Sequence, residues 1–407
     1  MAALPAELID LVVENIEADD DMQNLKSCCL AASLFQHPCQ KRIHRSMTLL
    51  FDSVLLDGDD VCASPHYRWR NILQHLENHP HLAEYVVELQ LLLPSTQSPE
   101  EYADDVLPVS SVLNKLHKVR ELEIAGLTIG GPPCVWSRLP LQFTDDLFAW
   151  LHTCDGRLVH ICCCFVDELS PSAIQHMLVA SSSLEFKYCR VYGEISSFTV
   201  LPQPTSGRSL RRLRFHESDL VILFFLRAEC QENIIKGLKK LSLGFTGLPG
   251  PPSQLCCAVG DSIEDLTLYL RRSRSEHTER DLGLPQQFPH LRRLSLGLAE
   301  SNHNKDILLK IIQVCFSAKI APALSRIVVN MSVWERNVEF TLASRTFEND
   351  LDDYCATHPT VKKLSLVLSF STAGNFKDSR WRAENSNRLH AAFPKMAEKG
   401  RLDVELK

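Results

Sequence analysis

The sequence predicts an α/β protein: a short N-terminal helical domain, then an irregular repeat solenoid with a parallel β-sheet and outer helices. Three observations carry this. A unit of the form apolar-x-x-apolar-x-apolar recurs from residue 86 to the end of the chain. Helix-like apolar stretches separate its copies. The first 45 residues instead space their apolar side chains three to four apart, the helical period.

Composition permits such a fold and narrows its role. The chain has 407 residues, 45% of them hydrophobic and 23% charged, which suits two or three domains or one repeat array with a real core. A net charge of −7 argues against a general nucleic-acid or anionic-membrane partner. The 15 cysteines are odd in number, several are adjacent (Cys28-Cys29, Cys162-Cys163-Cys164, Cys256-Cys257), and none forms a CxxC pair. They read as reduced thiols filling a core, which places the chain in the cytosol or nucleus. Met1 to Glu17 is acidic rather than basic, unlike a signal peptide. The longest apolar run, Leu220 to Leu226, is too short to cross a membrane.

Residues 4–16 read as an amphipathic helix with Leu4, Leu8, Ile9, Val12, Val13 and Ile16 on one face and Pro5 in the first turn. Asp19-Asp20-Asp21 breaks the pattern as a solvated turn. A second helix carries Met22, Leu25, Cys28, Cys29, Ala32 and Phe35, and His37-Pro38 is expected to end it. A third segment, residues 40–45, leads into Met47-Thr48-Leu49-Leu50. Beyond it, Asp57-Gly58-Asp59-Asp60 reads as an exposed turn without the spacing of a calcium loop. A helix is expected over residues 67–77. Its His75 and His79, four apart, read as a surface or core-rim pair rather than metal ligands.

The repeats begin at Val86/Leu89/Leu91 and Val119/Leu122/Ile124. They become regular from Leu213, whose counterparts Leu241, Leu266, Leu294, Ile327 and Leu364 follow at intervals of 28, 25, 28, 33 and 37 residues. Less regular copies lie at 158–166, 184–188 and 402–406. Most intervals overlap or slightly exceed the leucine-rich repeat range of about 20–29 residues. Each copy supplies a strand and each interval a helix, among them 220–228, 254–259 and 305–316, so neighbours must stack to bury their apolar faces. A last helix over 380–399 and the strand 402–406 would cap the array.

Alternation then defines the working surface. If the strands align, the position before each central residue collects Glu88 and Glu121 early on, then Arg212, Lys240, Asp265, Arg293, Arg326 and Lys363. The next outward position holds Arg214 and then mostly Ser or Thr, and the third includes Tyr269. The N-terminal end is therefore acidic. The C-terminal half carries a basic stripe of Arg212, Arg214, Lys240, Arg293, Arg326 and Lys363, with Tyr269 beside it, suited to an acidic or phosphorylated segment of a target protein. The loop from Arg271 to His277 is basic, with Ser273 and Ser275, and reads as solvated.

No catalytic signature is present: no GxxxxGK[ST], no GxGxxG after a strand, no GxSxG and no HExxH. Cys162–Cys164 lie near His160 and Asp167, but alternation along one strand sends them to opposite faces, and they read as buried strand cysteines. No metal ligand, catalytic residue or cofactor is assigned.

The N-terminal segments carry a family resemblance. Leu4-Pro5-Ala6-Glu7-Leu8-Ile9, then "CCLAASLF", then "IHRSMTL" resemble the start, second helix and end of the F-box-like domain of a large fungal family. Phe35 stands where many members have Trp, and Ala31 where many have Val. Residues 72–86, with Pro80-His81-Leu82-Ala83-Glu84-Tyr85-Val86, resemble that family's connector. With the repeats, the chain is similar to F-box proteins with leucine-rich repeats. The resemblance implies an F-box-like domain over 1–49, a helical connector over 50–85 and a leucine-rich-repeat-like solenoid over 86–407. It implies that Leu4, Pro5, Leu8, Ile9, Val13 and Leu25 dock the adaptor subunit of an SCF-type ubiquitin ligase and through it the cullin scaffold. The solenoid would hold a target protein while partner subunits do the catalysis. The alternative is a repeat scaffold without a ligase role, its N-terminal helices serving only as a cap.

Overall fold

The computed structural model describes residues 5–18, 22–51, 66–94, 108–126, 133–154, 156–191, 209–227, 234–245, 250–270, 283–298, 309, 311–333, 345–370 and 379–406. The turn at 19–21, the Asp57–Asp60 run and the basic 271–277 loop lie outside them. The protein is α/β, and among the described residues every strand pair is parallel. It divides into two compact units, residues 1–208 and 209–407.

The first unit opens with α1 (Ala6–Ala18), α2 (Met22–Ala31) and α3 (Ser33–Ile43). The break between α2 and α3 falls at Ala32, in extended backbone with φ −155° and ψ 141°, not at His37-Pro38 as expected. Pro38 lies inside α3 and forfeits one helical hydrogen bond. The helix continues because Cys39 and Ile43 just beyond are buried with Val13 and Leu25 in the cluster that joins the three helices. An ion pair from Arg42 to Glu14 (2.8 Å) ties α3 to α1.

The unit's sheet runs in the order β2-β1-β3-β4-β6-β8. Its strands are β1 (Ser46–Leu50), β2 (His66–Arg68), β3 (Glu88–Leu93), β4 (Glu121–Gly126), β6 (His160–Cys164) and β8 (Ser183–Lys187). The "IHRSMTL" segment thus supplies β1, which lies between β2 and β3. Short strands β5 (Cys134–Val135) and β7 (Val166–Asp167) pair separately. One strand face is buried: Leu89, Leu91, Leu122, Ile124, Ile161, Cys163, Leu184 and Phe186 are almost inaccessible. Each such aliphatic or aromatic side chain contributes roughly 1.5–3 kcal/mol on burial. Between the strands run α4 (Trp69–Asn78), α5 (Val109–Lys115), α6 (Leu141–Cys154) and α7 (Pro171–Ala180).

The second unit holds β9 (Arg212–His216), β10 (Lys240–Phe245), β11 (Asp265–Leu270), β12 (Arg293–Leu298), β13 (Arg326–Val333), β14 (Lys363–Phe370) and β15 (Leu402–Leu406), neighbours in sequence pairing as neighbours in the sheet. Short helices α8 (Asp219–Phe225), α9 (Pro251–Val259) and α10 (Arg345–Thr357) lie between strands, with a π-helical turn at Ile311–Cys315 within the predicted 305–316 helix. The expected last helix is two, α11 (Ser379–Ala392) and α12 (Pro394–Glu398). Pro394 disfavours helical backbone at the residue before it, and Phe393 turns the chain there into the core. Buried Asp352 holds the new start: its Oδ2 accepts from the Lys395 amide (2.8 Å) and its Oδ1 from the Met396 amide (2.9 Å).

Truncating Asp352 to Ala leaves two amides unpaired, one of them fully buried. The expected loss is about 1–3 kcal/mol, read as a lower urea midpoint at unchanged m-value. Acid acts on the first unit. His44 is held down at about 4, chiefly by burial and then by the neighbouring His75 and His81. The unfolded chain binds that proton first, so stability is full above about 6.5 and falls as pH drops from there toward 4. A His44→Asn variant should show a flatter loss of thermal midpoint across that window.

Candidate functional site

Two open sheet faces and one helical surface carry the residues singled out by the sequence. At the helical surface, Pro5 is exposed, and its carbonyl accepts from the Leu8 and Ile9 amides at 3.1 and 3.3 Å. Leu8 is exposed and Ile9 half-buried, while Leu4 lies outside the described residues. Val13 and Leu25, only 1% and 2% accessible, face inward and join the three helices, which corrects the expectation that they present themselves to a partner. Helix α1 is apolar on two sides. Ile9, Val13 and Ile16 turn inward to varying depth, whereas Leu8, Leu11 and Val12 stand out at i, i+3 and i+4. Leu30 on α2 and Leu34 on α3 are exposed as well. Leu11, Leu30 and Leu34 were missed because a three-to-four period does not say which stripe meets the neighbouring helix.

On the open face of the second unit the expected register holds. Arg212, Lys240, Asp265, Arg293, Arg326 and Lys363 are cross-strand partners in one unbroken row. Arg214, Ser242, Thr267, Ser295, Val328, Ser365 and Asp403 form the next row. The basic stripe is thus interrupted by Asp265 and partly met at one end. Lys363 pairs with Asp403 at 2.9 Å, and Arg326 donates to the Ser365 hydroxyl at 3.1 Å. Asp403 is held below the usual carboxylate range by its hydrogen bond from Lys363, with Arg326 and Ser365 adding to it. Lys240 and Arg293 are exposed and have no ion-pair partner among the described residues. Tyr269 lies 5.0 Å from the His216 ring, centre to centre, and covers Gly297, where a Cβ would come within 2.4 Å of the Tyr269 ring.

The open face of the first unit holds what the sequence reading missed. Glu88, Glu121 and His160 form one cross-strand row; Gln90, Glu123, Cys162 and Glu185 form the next. They line a recess of about 340 Å³ together with Lys187. Residues two apart share a strand face, so His160, Cys162 and Cys164 all point here, while Ile161 and Cys163 point to the core. Alternation parts Cys162 from Cys163, but it keeps Cys162 and Cys164, two apart, on the same face.

The cluster is tightly bonded. The Cys162 and Cys164 sulfurs are 3.3 Å apart, His160 Nδ1 is 3.0 Å from the Ser183 hydroxyl, and His160 Nε2 is 3.4 Å from Glu185. Lys187 reaches the other Glu185 oxygen at 3.4 Å. The Cys162 thiol is pulled down to about 6 by hydrogen bonding from Cys164, against the opposing cost of burial, with His160 and Lys187 assisting. His160 rises to about 9 through hydrogen bonds to Cys162 and Glu185. Cys164 is raised, chiefly by its bond to Cys162 and by burial. The two shifts favour a thiolate beside an imidazolium, a pair able to act as a soft ligand or a nucleophile.

His75 stacks on Tyr67 at 5.5 Å and lies 5.3 Å from His79, a core-rim arrangement. No helix among the described residues is long and apolar enough to cross a membrane. No protein-family model matches the chain, and no curated protein matches it.

Alkylation of the reduced protein by iodoacetamide, followed by mass spectrometry, should show Cys162 reacting with a midpoint near pH 6. In a His160→Gln variant the midpoint should move up toward the ordinary thiol range near 8.5. A midpoint indifferent to His160 would contradict the pairing.

Proposed function

We propose that this chain is the substrate-recognition subunit of an SCF-type E3 ubiquitin ligase, acting in the cytoplasm or nucleus. Its N-terminal helices form an F-box-like domain that docks the adaptor subunit, and through it the cullin scaffold. Its strand–helix units form a leucine-rich-repeat-like solenoid that holds a target protein. The chain itself does no chemistry in this reading. It raises the effective concentration of target lysines beside the ubiquitin carrier.

The observation that carries the reading is the outward stripe of Leu8, Leu11 and Val12 on α1. The three-helix cluster is already filled by Val13, Leu25, Cys39 and Ile43. An apolar stripe left outside a filled core suits a helix-in-groove partner. The resemblance of the "LPAELI", "CCLAASLF" and "IHRSMTL" segments to F-box-like domains names the adaptor as that partner. The open faces support the second half of the reading. Rows of charged and polar side chains, in register across successive strands, offer a recognition surface for an extended segment, and unpaired Lys240 and Arg293 favour an acidic or phosphorylated one.

The test is a pull-down of purified adaptor by the full chain beside a Leu8→Asp, Val12→Asp variant shown to be folded by circular dichroism. Wild-type binding lost in the variant supports the reading. A folded wild type that binds no adaptor leaves a repeat scaffold capped by its helices. For target capture, Arg212→Glu, Lys240→Glu and Arg293→Glu together should reduce binding of an acidic peptide library at least tenfold and flatten its salt dependence. Undiminished capture would remove the basic row from the mechanism.

A further inference from the structure

The soft donors on the open face of the first unit go beyond recognition of a target. The ligand atoms of His160, Cys162 and Glu185 all lie within 4.8 Å of one another, and so do those of Glu123, Cys162 and Cys164. The Cys162 sulfur belongs to both groups, so four further donors surround it. His160 and Cys164, four residues apart along β6, fall in different groups. We propose that this cluster binds one divalent cation of the zinc class through His160, Cys162 and Glu185, which all line the recess and leave a fourth position open to it.

The donor set selects the metal. A thiol and an imidazole beside a carboxylate suit zinc, whereas magnesium and calcium take oxygen ligands. The spacing agrees. With metal–ligand bonds of about 2.0–2.3 Å, tetrahedral edges run about 3.3–3.8 Å. The 3.4 Å from His160 Nε2 to Glu185 is already such an edge, and all three donors lie within 4.8 Å of one another. The imidazole is already oriented: the Ser183 hydroxyl, 3.0 Å from Nδ1, can accept a hydrogen bond there, which makes Nε2, facing Glu185, the ligating nitrogen.

Charge and access also fit. One thiolate and one carboxylate balance the charge of a divalent ion, and Lys187 stays on the second Glu185 oxygen. Cys162 and Glu185 are each 6% accessible, so these ligands are held in a partly dry setting, yet with His160 they line an open recess through which an ion can enter. No adaptor or target enters this argument, so it stands apart from the ligase reading.

The experiment uses the full chain, reduced and stripped with a chelator, and titrates Co²⁺ and then Zn²⁺. The expected result is one equivalent of Co²⁺ with the sulfur-to-cobalt charge-transfer and intense d–d bands of a tetrahedral site, displaced by Zn²⁺. Cys162→Ser and His160→Gln should each abolish those bands, and Cys257→Ser, at an exposed thiol elsewhere, should leave them unchanged. Ser183→Ala, which removes only the orienting partner, should weaken cobalt affinity about 10–100-fold. Glu185→Gln should shift the d–d bands, and Glu123→Gln should leave them in place. A folded wild type that shows no thiolate–cobalt band overturns the proposal without reference to any variant. A stoichiometric band that survives Cys162→Ser overturns it too.

Discussion

The in-register parallel pairing of successive strands is the constraint on which the rest depends. Within each unit, a strand meets the next with no offset of its repeat position: Leu213 faces Leu241, Leu241 faces Leu266, and so on to Leu364. The backbone fixes this at successive strand entries. The carbonyl of Arg211 accepts from both Lys239 and Lys240, that of Lys239 from Glu264 and Asp265, that of Glu264 from Arg292 and Arg293. A slip of one residue would turn the leucines out and the charges in. The same bonds that bury the apolar rows therefore create the polar rows.

A row of like side chains is a consequence with a cost, and each unit meets it differently. Lys and Arg directly opposite one another repel across a strand spacing. In the second unit Asp265 breaks the row, and Asp403 draws Lys363 and Arg326 together at its end. In the first unit the acidic rows meet His160 and Lys187, and the thiol of Cys162 is drawn into the same network. Buried polar groups there are satisfied by one another, and a network of this kind favours one arrangement over its alternatives. The two open faces thus differ in sign and in chemistry although the same backbone pattern builds both.

The N-terminal helices follow a different logic. Their internal cluster is small, and Val13, Leu25, Cys39 and Ile43 use up the inward stripe. The continuing backbone stabilises them as well. Residues 46–50 leave α3 directly as strand β1, and the Val87 and Glu88 amides donate to the Arg45 carbonyl at 2.8 and 3.0 Å. Apolar side chains left over on α1 are consequently free of a structural duty within the cluster.

Local chemistry alone determined the class of this protein and most of its strands. Apolar-x-x-apolar-x-apolar is legible because alternation is a property of one strand, and the rows from Arg212 to Lys363 followed once equal phase was assumed. The helix break at Ala32, the passage of α3 through Pro38 and the pairing of β1 were not legible. Each depends on burial against segments distant in sequence, which overrides local preference. The His160, Cys162 and Cys164 parity was written in the residue numbers, but their meeting with Glu123 and Glu185 required the register of β4, β6 and β8. Tertiary structure also decided which side of α1 is inside. An amphipathic period specifies that a helix has a stripe to bury, and only the position of its neighbours specifies which of two apolar stripes that is.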